Sequence, residues 1–115
     1  KNKYPLVEQK LTRDELKEIY KSYSLHKHTE NTITTLDKLF IDLQRVRKNG
    51  YSLNEAETFD YVYGIGAPII DSQNRAIAAI SISGTKGSIH VKSITELSKE
   101  VTRTARLISA KLSEN

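Results

Sequence analysis

The chain has 115 residues, which is enough for one domain of ordinary size and excludes a separate catalytic or DNA-binding module. Hydrophobic residues make up 37% and charged residues 28%, as in a globular protein with a small core. The net charge of +4 is too small to demand a nucleic-acid partner, and the absence of cysteine excludes a disulfide framework and a thiolate nucleophile. The apolar stretches are far too short to span a membrane, and no signal peptide is visible.

Two helices are predicted in the first half of the chain. Residues 12–15 have the Thr-x-x-Glu spacing of a capping box, so a helix is expected to begin there and to end before His26. Residues 34–35 can cap a second helix, because apolar residues follow at helical spacing from position 36 to position 46. Gly50 is placed to stop this helix.

The second half of the chain predicts a β-hairpin followed by a long helix. Residues 61–70 and 75–83 are rich in β-formers and flank turn-forming residues at 71–74. Residues 93–96 repeat the capping-box spacing, and apolar residues then recur every three or four positions as far as Leu112. The order α, α, β-hairpin, α predicts an α+β fold in which helices flank an antiparallel sheet.

A symmetric hairpin turn predicts which side chains share a face of the sheet. If Ile70 lies opposite Arg75, opposed side chains alternate between two faces along both strands. The first face is small and partly polar, with Val62, Gly64, Gly66, Pro68, Ile77, Ala79, Ser81 and Ser83. The second face is predicted to be core, with Tyr61, Tyr63, Ile65, Ala67, Ile69, Ala76, Ala78, Ile80 and Ile82.

The first face predicts a shallow recess. Its glycines remove side-chain bulk next to two hydroxyl groups, and a small polar ligand needs such hydrogen-bonding partners once it loses water. The same pattern also fits a second interpretation, in which the glycines admit a closely packed helix and the serines face water. The residues alone leave both interpretations open.

Several linked stretches of the sequence form a pattern that is specific as a set. The stretches are residues 29–34 (Thr-Glu-Asn-Thr-Ile-Thr), 36–47, 50–57 (Gly-Tyr-Ser-Leu-Asn-Glu-Ala-Glu), 64–71 (Gly-Ile-Gly-Ala-Pro-Ile-Ile-Asp), 78–84 (Ala-Ala-Ile-Ser-Ile-Ser-Gly) and 105–112. In uninterrupted order from about Thr12 to the C-terminus, the chain resembles the effector-binding domain of the IclR family of bacterial transcriptional regulators.

This resemblance implies a GAF-like domain, residues 1–115, that senses a small organic acid or sugar acid without a cofactor. It also implies a cytoplasmic regulator that forms a homodimer or tetramer, has no membrane partner, and contacts DNA only through a helix-turn-helix domain outside this chain. Because the chain opens with Lys1 and contains no methionine, we expect it to be an N-terminally truncated effector domain.

The resemblance also implies individual ligand-binding positions. Ser81 and Ser83 match positions whose hydroxyls contact the effector, and both belong to the predicted recess. Gly64 stands where the family often has a cysteine that lines the pocket, and Asn54 stands where an aspartate is usual. An amide in place of a carboxylate removes a charge and adds two donors, so an anionic ligand is less repelled here. Glu57 matches a nearby acidic position, or supports the local turn.

The sequence also bears on three other functions. No Walker loop, nucleophile elbow or His-Glu-x-x-His motif is present, so an enzyme is not expected. His26, His28 and His90 with Glu30 suggest a metal site, but the first two lie in a polar loop where solvated side chains are expected. The basic residues alternate with acidic ones, which disfavours nucleic-acid binding. A dimerisation or interaction module without its own ligand is the alternative to effector sensing.

Overall fold

The computed structural model describes residues 12–85, 87–89 and 91–114, and within them three helices flank a three-stranded antiparallel sheet of order β1-β2-β3. This is the α+β fold predicted from the sequence. The elements are α1 (Arg13–Ile19), α2 (Leu36–Asn49), β1 (Ser52–Glu55), β2 (Val62–Ile70), β3 (Ala76–Thr85) and α3 (Val91–Ser113). None of the helices in the described part combines the length and apolar composition that a membrane span requires.

The caps of the first two helices confirm the sequence prediction. The Thr12 hydroxyl accepts a hydrogen bond from the Glu15 amide at 3.2 Å, and the Glu15 carboxylate accepts one from the Thr12 amide at 2.9 Å. At α2, the Thr35 hydroxyl accepts from the Lys38 amide. Gly50 ends the helix in the left-handed conformation at φ 82°, which glycine adopts without steric cost.

Helices α1 and α2 pack against each other beside the β1 edge of the sheet. Leu16 and Leu39 are buried, with 2% and 4% of their surface exposed. The guanidinium of Arg13 stacks over the Phe40 ring at 4.8 Å and forms an ion pair with Asp37. This contact joins α1 to α2.

Strand β1 was not predicted. Its four residues, Ser-Leu-Asn-Glu, carry a single apolar side chain, so no alternating pattern marks them as a strand. Pairing with β2 makes this segment extended, with Ser52 opposite Gly66 and Asn54 opposite Gly64. The sheet therefore extends beyond the predicted hairpin by one strand.

The predicted hairpin is present, but its pairing is shifted by two residues. The loop is asymmetric: Asp71 and Arg75 close it, Asn74 is left-handed at φ 62°, and Ile70 pairs with Ala76 instead of Arg75. A register shift between Ile69 and Ile70 then displaces the strand pairing by one more residue. Since each one-residue slip reverses the faces, two slips restore them, and the predicted division into faces holds beyond the bulge.

The Asp71 side chain holds this loop in place. Its carboxylate accepts hydrogen bonds from the Arg75 amide at 2.9 Å and the Gln73 amide at 2.8 Å, and it lies 3.1 Å from the Arg75 side chain. The hydrogen bond from the Arg75 amide lowers the pKa of the Asp71 carboxyl below its usual value. The contacts of this one residue explain why the loop is not symmetric.

The core lies between β2 and α3. Its buried residues are Ile65, Ala67, Ile69, Val101 and Ala105. On the predicted core face, Tyr63, Ile80 and Ile82 are half-buried, whereas Ala76 and Ala78 are exposed. Tyr61 is 60% exposed and packs against the Phe59 ring. The core prediction was wrong for Ala76, Ala78 and Tyr61. Helix α3 covers mainly β2, so β3 lies at the edge of the covered face, and Tyr61 comes before β2 begins.

Helix α3 begins at Val91, two residues before the predicted cap at Ser93. The preceding turn explains the difference. The amides of Ser88 and Ile89 both donate to the Thr85 carbonyl, and the Ile89 side chain is buried at 5% exposure, so the chain reaches the helix earlier than the capping pattern suggests. Tertiary packing has overridden a local signal here.

Ser109 connects α3 to the irregular end of β2. Its hydroxyl accepts a hydrogen bond from the Ile70 amide at 2.9 Å and donates one to the Ala105 carbonyl at 2.8 Å. Ile70 lies at the register shift, where the strand pairing is disturbed. At this place the Ser109 hydroxyl of α3 is the hydrogen-bond partner of the Ile70 amide. The hydroxyl thus compensates for the bulge.

We expect Ser109→Ala to lower the free energy of unfolding by about 1–2 kcal/mol, because the Ile70 amide loses its partner in a half-buried place. Urea denaturation at an unchanged m-value measures this loss. Ser113→Ala is the matched control, since it removes an exposed hydroxyl that donates to a carbonyl of the same helix. Equal losses for the two variants would contradict the assignment.

Candidate functional site

All four predicted ligand-binding residues lie together on the face of the sheet opposite α3. The strand pairing places Asn54, Gly64 and Ser83 in one row across the three strands, and Ser52, Gly66 and Ser81 in the next. We call these six residues the serine-glycine face. Ser52 was missed by sequence reasoning because β1 was not predicted.

The two glycines differ in the space around them. A Cβ atom on Gly64 would lie 3.5 Å from the Ser83 hydroxyl and 3.8 Å from the Asn54 Cβ, which are ordinary contact distances. A Cβ atom on Gly66 would lie 3.1 Å from the Ser52 hydroxyl, which is too close unless Ser52 moves. A single added carbon therefore fits at Gly64, whereas at Gly66 it would require Ser52 to move.

Exposure shows which part of the face is accessible. Ser81 and Ser83 are exposed, and Ser52, Asn54, Gly64 and Gly66 are half-buried. The buried core residues of β2 point to the other side, under α3. The hydroxyls of β3 are therefore accessible next to a floor without side-chain bulk. Exposed serines fit the second interpretation, in which they face water, as well as the first, so the recess stays a prediction.

The Asn54 side chain holds the turn that follows β1. Its Oδ1 accepts a hydrogen bond from the Glu57 amide at 3.0 Å. Because a backbone amide can only donate, this contact fixes the orientation of the side-chain amide. The Nδ2 group, with two donors, has no partner in the described part of the chain. Asn54 thus presents hydrogen-bond donors, and no negative charge, beside Gly64.

A loop from the helical half of the chain secures the same turn. The side chains of Asn31, Thr29 and Thr32 donate to the carbonyls of Glu55, Ala56 and Glu57 at 3.0, 2.6 and 2.5 Å respectively. These are three successive carbonyls, and Ala56 between them has a left-handed φ of 56°. Side chains far away in the sequence therefore keep the turn, and with it Asn54, in one conformation.

Glu57 contributes to the turn in a second way. Its carboxylate lies 3.4 Å from the Glu55 amide, from which it accepts a hydrogen bond. Of the two roles considered for this residue, this contact supports the local structural one.

A cavity of about 300 Å³ lies beside Asn54, between residues 20–28 and the turn at 54–58. Its size is at the lower end of the range for small-molecule sites. Asn54 belongs both to this cavity and to the serine-glycine face. The lining includes Tyr20, Ser24, His26, His28 and Thr58, which sequence reasoning did not connect to the site because residues 20–28 form no regular element that would predict their position.

The two histidines were considered for a metal site with Glu30 and His90. His26 and His28 are exposed and line the cavity. His90 lies outside the described residues. Within them, no group of three or more His, Cys, Asp or Glu side chains is arranged to hold a metal ion.

A second cavity, of about 340 Å³, lies between α2 and β1. It is lined by Leu53 and Tyr63 from the core-facing side of the strands and by Asp42 and Arg45 from α2. None of the four predicted ligand-binding residues lines it. Its lining includes the Arg45 guanidinium and the Asn49 side-chain amide, which are hydrogen-bond donors, so donors are not confined to Asn54, Ser81 and Ser83.

Comparison with known families agrees with the fold described above. The family model described as "Bacterial transcriptional regulator IclR C-terminal" matches residues 8–110. The chain belongs to this IclR family. A curated relative, the HTH-type transcriptional regulator KipR of Bacillus subtilis, is 30% identical over 102 residues, which are 89% of this chain and 41% of KipR. The chain thus spans about two fifths of the length of this relative.

Solved structures show the same fold as this IclR-family chain. The Agobacterium tumefaciens repressor BlcR superposes with a TM-score of 0.83 at 28% identity, over 96% of this chain and 44% of BlcR. A double mutant of the inducer-binding domain of PobR from Acinetobacter, in complex with 3-hydroxybenzoic acid, has a TM-score of 0.81 at 24% identity, over 91% of this chain and 61% of that one. At this identity, the PobR domain supports the fold alone.

We expect Asn54→Asp to keep the free energy of unfolding within about 0.5 kcal/mol of the original, because a carboxylate oxygen can still accept the Glu57 amide. Asn54→Ala removes the acceptor and should cost about 1 kcal/mol. Urea denaturation of both variants distinguishes them. If Asn54→Asp were as unstable as Asn54→Ala, the Asn54 side chain would not hold the turn through its oxygen.

Proposed function

We propose that this domain binds a small organic acid or sugar acid on the serine-glycine face, and that binding controls DNA recognition by a helix-turn-helix domain elsewhere in the parent regulator. The observation that carries the proposal is the row Asn54, Gly64 and Ser83, beside the row that contains Ser81. Donors on the two outer strands flank a position without a side chain on the central strand.

The chemistry of this row suits a carboxylate. The hydroxyls of Ser81 and Ser83 and the Nδ2 group of Asn54 can each donate to a carboxylate oxygen. Such an anion needs several donors when it leaves water, and hydrogen bonds to a charged group are stronger than neutral ones. Because Gly64 has no side chain, the anion can approach the backbone of the central strand there.

The role in regulation is supported by the family. KipR is named an HTH-type transcriptional regulator, and BlcR a repressor. For the PobR domain, the bound molecule is an aromatic hydroxy acid. For this chain, we propose a cytoplasmic parent protein that works as a homodimer or tetramer, needs no cofactor or membrane, and contacts DNA through its other domain. Residues 1–115 are proposed as the effector-binding unit of that protein.

One observation favours the alternative, a dimerisation or interaction module. Ser81 and Ser83 are exposed, so a protein surface can reach the same hydroxyls as a small molecule. The two functions differ in what stabilises the chain, because only effector binding predicts stabilisation by a free acid.

Thermal unfolding of the chain with a panel of organic and sugar acids tests the proposal. An acid at 100 times its Kd adds about 2.7 kcal/mol of stability. We expect Ser81→Ala/Ser83→Ala to lose this gain while the unliganded chain unfolds nearly as before, because both side chains are exposed. Asn54→Asp should also weaken acid binding, since it places a second negative charge beside the anion.

The matched control is Ser72→Ala, which removes an exposed hydroxyl in the hairpin loop of the same two strands. It should retain the full ligand-induced gain. If no acid stabilises the chain, the interaction module becomes the better description. If the double variant loses stability without any ligand, the two hydroxyls are structural.

A further inference from the structure

The cavity between α2 and β1 differs in chemistry from the serine-glycine face. It lies on the other side of the same strands, because Leu53 and Glu55, which line it, alternate with Ser52 and Asn54 along β1. Its volume of about 340 Å³ is at the lower end of the range for small-molecule sites. The proposed function does not use this space, so a ligand bound here would be a second one.

One wall of the cavity is a face of α2. Asp42, Arg45, Val46 and Asn49 are spaced three or four residues apart, so they lie on the same side of the helix, and all four line the cavity. The neighbouring cation Arg47 does not line it. Arg45 therefore contributes the only positive charge of this lining within the described residues.

The Arg45 guanidinium is accessible to an anion. Its ion-pair partner, the Asp42 carboxylate, lies 4.0 Å from Nη1, which is too long for a hydrogen bond. None of its five N–H donors has a hydrogen-bond acceptor in the part of the chain that the structure describes. The Asn49 side-chain amide, one turn further along α2, has no partner there either. These donors suit the carboxylate of a ligand.

The wall formed by the strands is negative and aromatic. Glu55 lies opposite Tyr63 in the pairing of β1 with β2, and both residues line the cavity. The Glu55 carboxylate has no hydrogen-bond or ion-pair partner among the described residues. A carboxylate next to an aromatic ring suits an ammonium group, which gains a charge pair from the first and a cation–π contact from the second. One ligand can thus meet opposite charges on the two walls.

Two further carboxylates set the net charge of the lining. Asp42 is paired with Arg45, and Glu57 accepts a hydrogen bond from the Glu55 amide. The lining therefore carries three negative charges and one positive charge. A ligand whose only charge is a carboxylate is repelled by this excess, so an ammonium group on the ligand is needed to offset it.

The apolar part of the lining is less exposed than the charged groups that face the ligand. Ile33, Val46 and Leu53 are half-buried, whereas Arg45 and Glu55 are exposed. Exposed charges keep part of their water, so pairing them with a ligand costs less desolvation than burying them would. The cavity is therefore complementary to a molecule with two opposite charges at one end and an aliphatic group at the other.

We infer that this cavity binds an α-amino acid with an aliphatic side chain. Its carboxylate contacts Arg45 and Asn49, and its ammonium group lies between Glu55 and Tyr63. The inference goes beyond the proposed function, because none of the four predicted ligand-binding residues lines this cavity. It holds whether or not the serine-glycine face binds an acid.

Calorimetric titration of the full chain with leucine and two analogues tests the inference. 4-Methylpentanoate is leucine without the amino group, and 3-methylbutylamine is leucine without the carboxylate. We expect leucine to bind at least tenfold more tightly than either analogue, a difference of about 1.4 kcal/mol, because each analogue leaves one wall unpaired. Equal binding of leucine and either analogue, or no binding of leucine, overturns the inference.

Substitutions of exposed side chains locate the site. Arg45→Gln and Glu55→Gln each remove one charge and keep a polar side chain, and each should weaken leucine binding several-fold. Arg47→Gln, next to the lining on α2, and Asp60→Asn, an exposed carboxylate after β1, are the matched controls and should bind leucine as the original chain does. If Arg45→Gln and Glu55→Gln both bind leucine normally, the inference is wrong.

The variant Ser81→Ala/Ser83→Ala separates this site from the acid site. It should bind leucine as the original chain does, even where it loses stabilisation by acids. Loss of leucine binding in this variant would place the amino acid on the serine-glycine face and would overturn the inference, with the proposed function left intact.

Discussion

Burial of one side of β2 is the constraint on which the arrangement depends. Ile65, Ala67 and Ile69 pack beneath Val101 and Ala105 of α3, and apolar burial is the largest favourable term in folding. Because side chains alternate along a strand, this packing commits the residues between them to the opposite side. Gly64 and Gly66 face away from α3 for that reason, and the neighbouring strands bring their polar side chains to the same surface.

Local signals in the sequence were sufficient for the first two helices and for the division of the hairpin into faces. The caps at Thr12, Thr35 and Gly50 depend on residues three or four positions apart, so their chemistry is readable from the sequence. The hairpin register could not be predicted from local signals, because the asymmetric loop and the bulge each shift the strand pairing by one residue. The faces were still predicted correctly, since the two shifts compensate each other.

Features that depend on distant contacts could not be predicted. Strand β1 has no pattern of its own and is extended because it pairs with β2. The start of α3 is set by the turn that buries Ile89. For the site, the four residues inferred from family resemblance and alternation do lie together, but the cavity beside Asn54 is lined in part by residues 20–28, which form no regular element that a sequence pattern could reveal.

The loop that donates to three successive carbonyls of the 55–57 turn has a consequence for natural variation. Thr29 is 27 residues from Ala56 in the sequence, yet its hydroxyl keeps Asn54 in place through the turn. Genetic screens for regulators that no longer respond should therefore recover changes at Thr29 and Thr32 alongside changes on the sheet. In evolution, these threonines and the asparagine between them are expected to be inherited as a unit, whatever molecule a given descendant recognises.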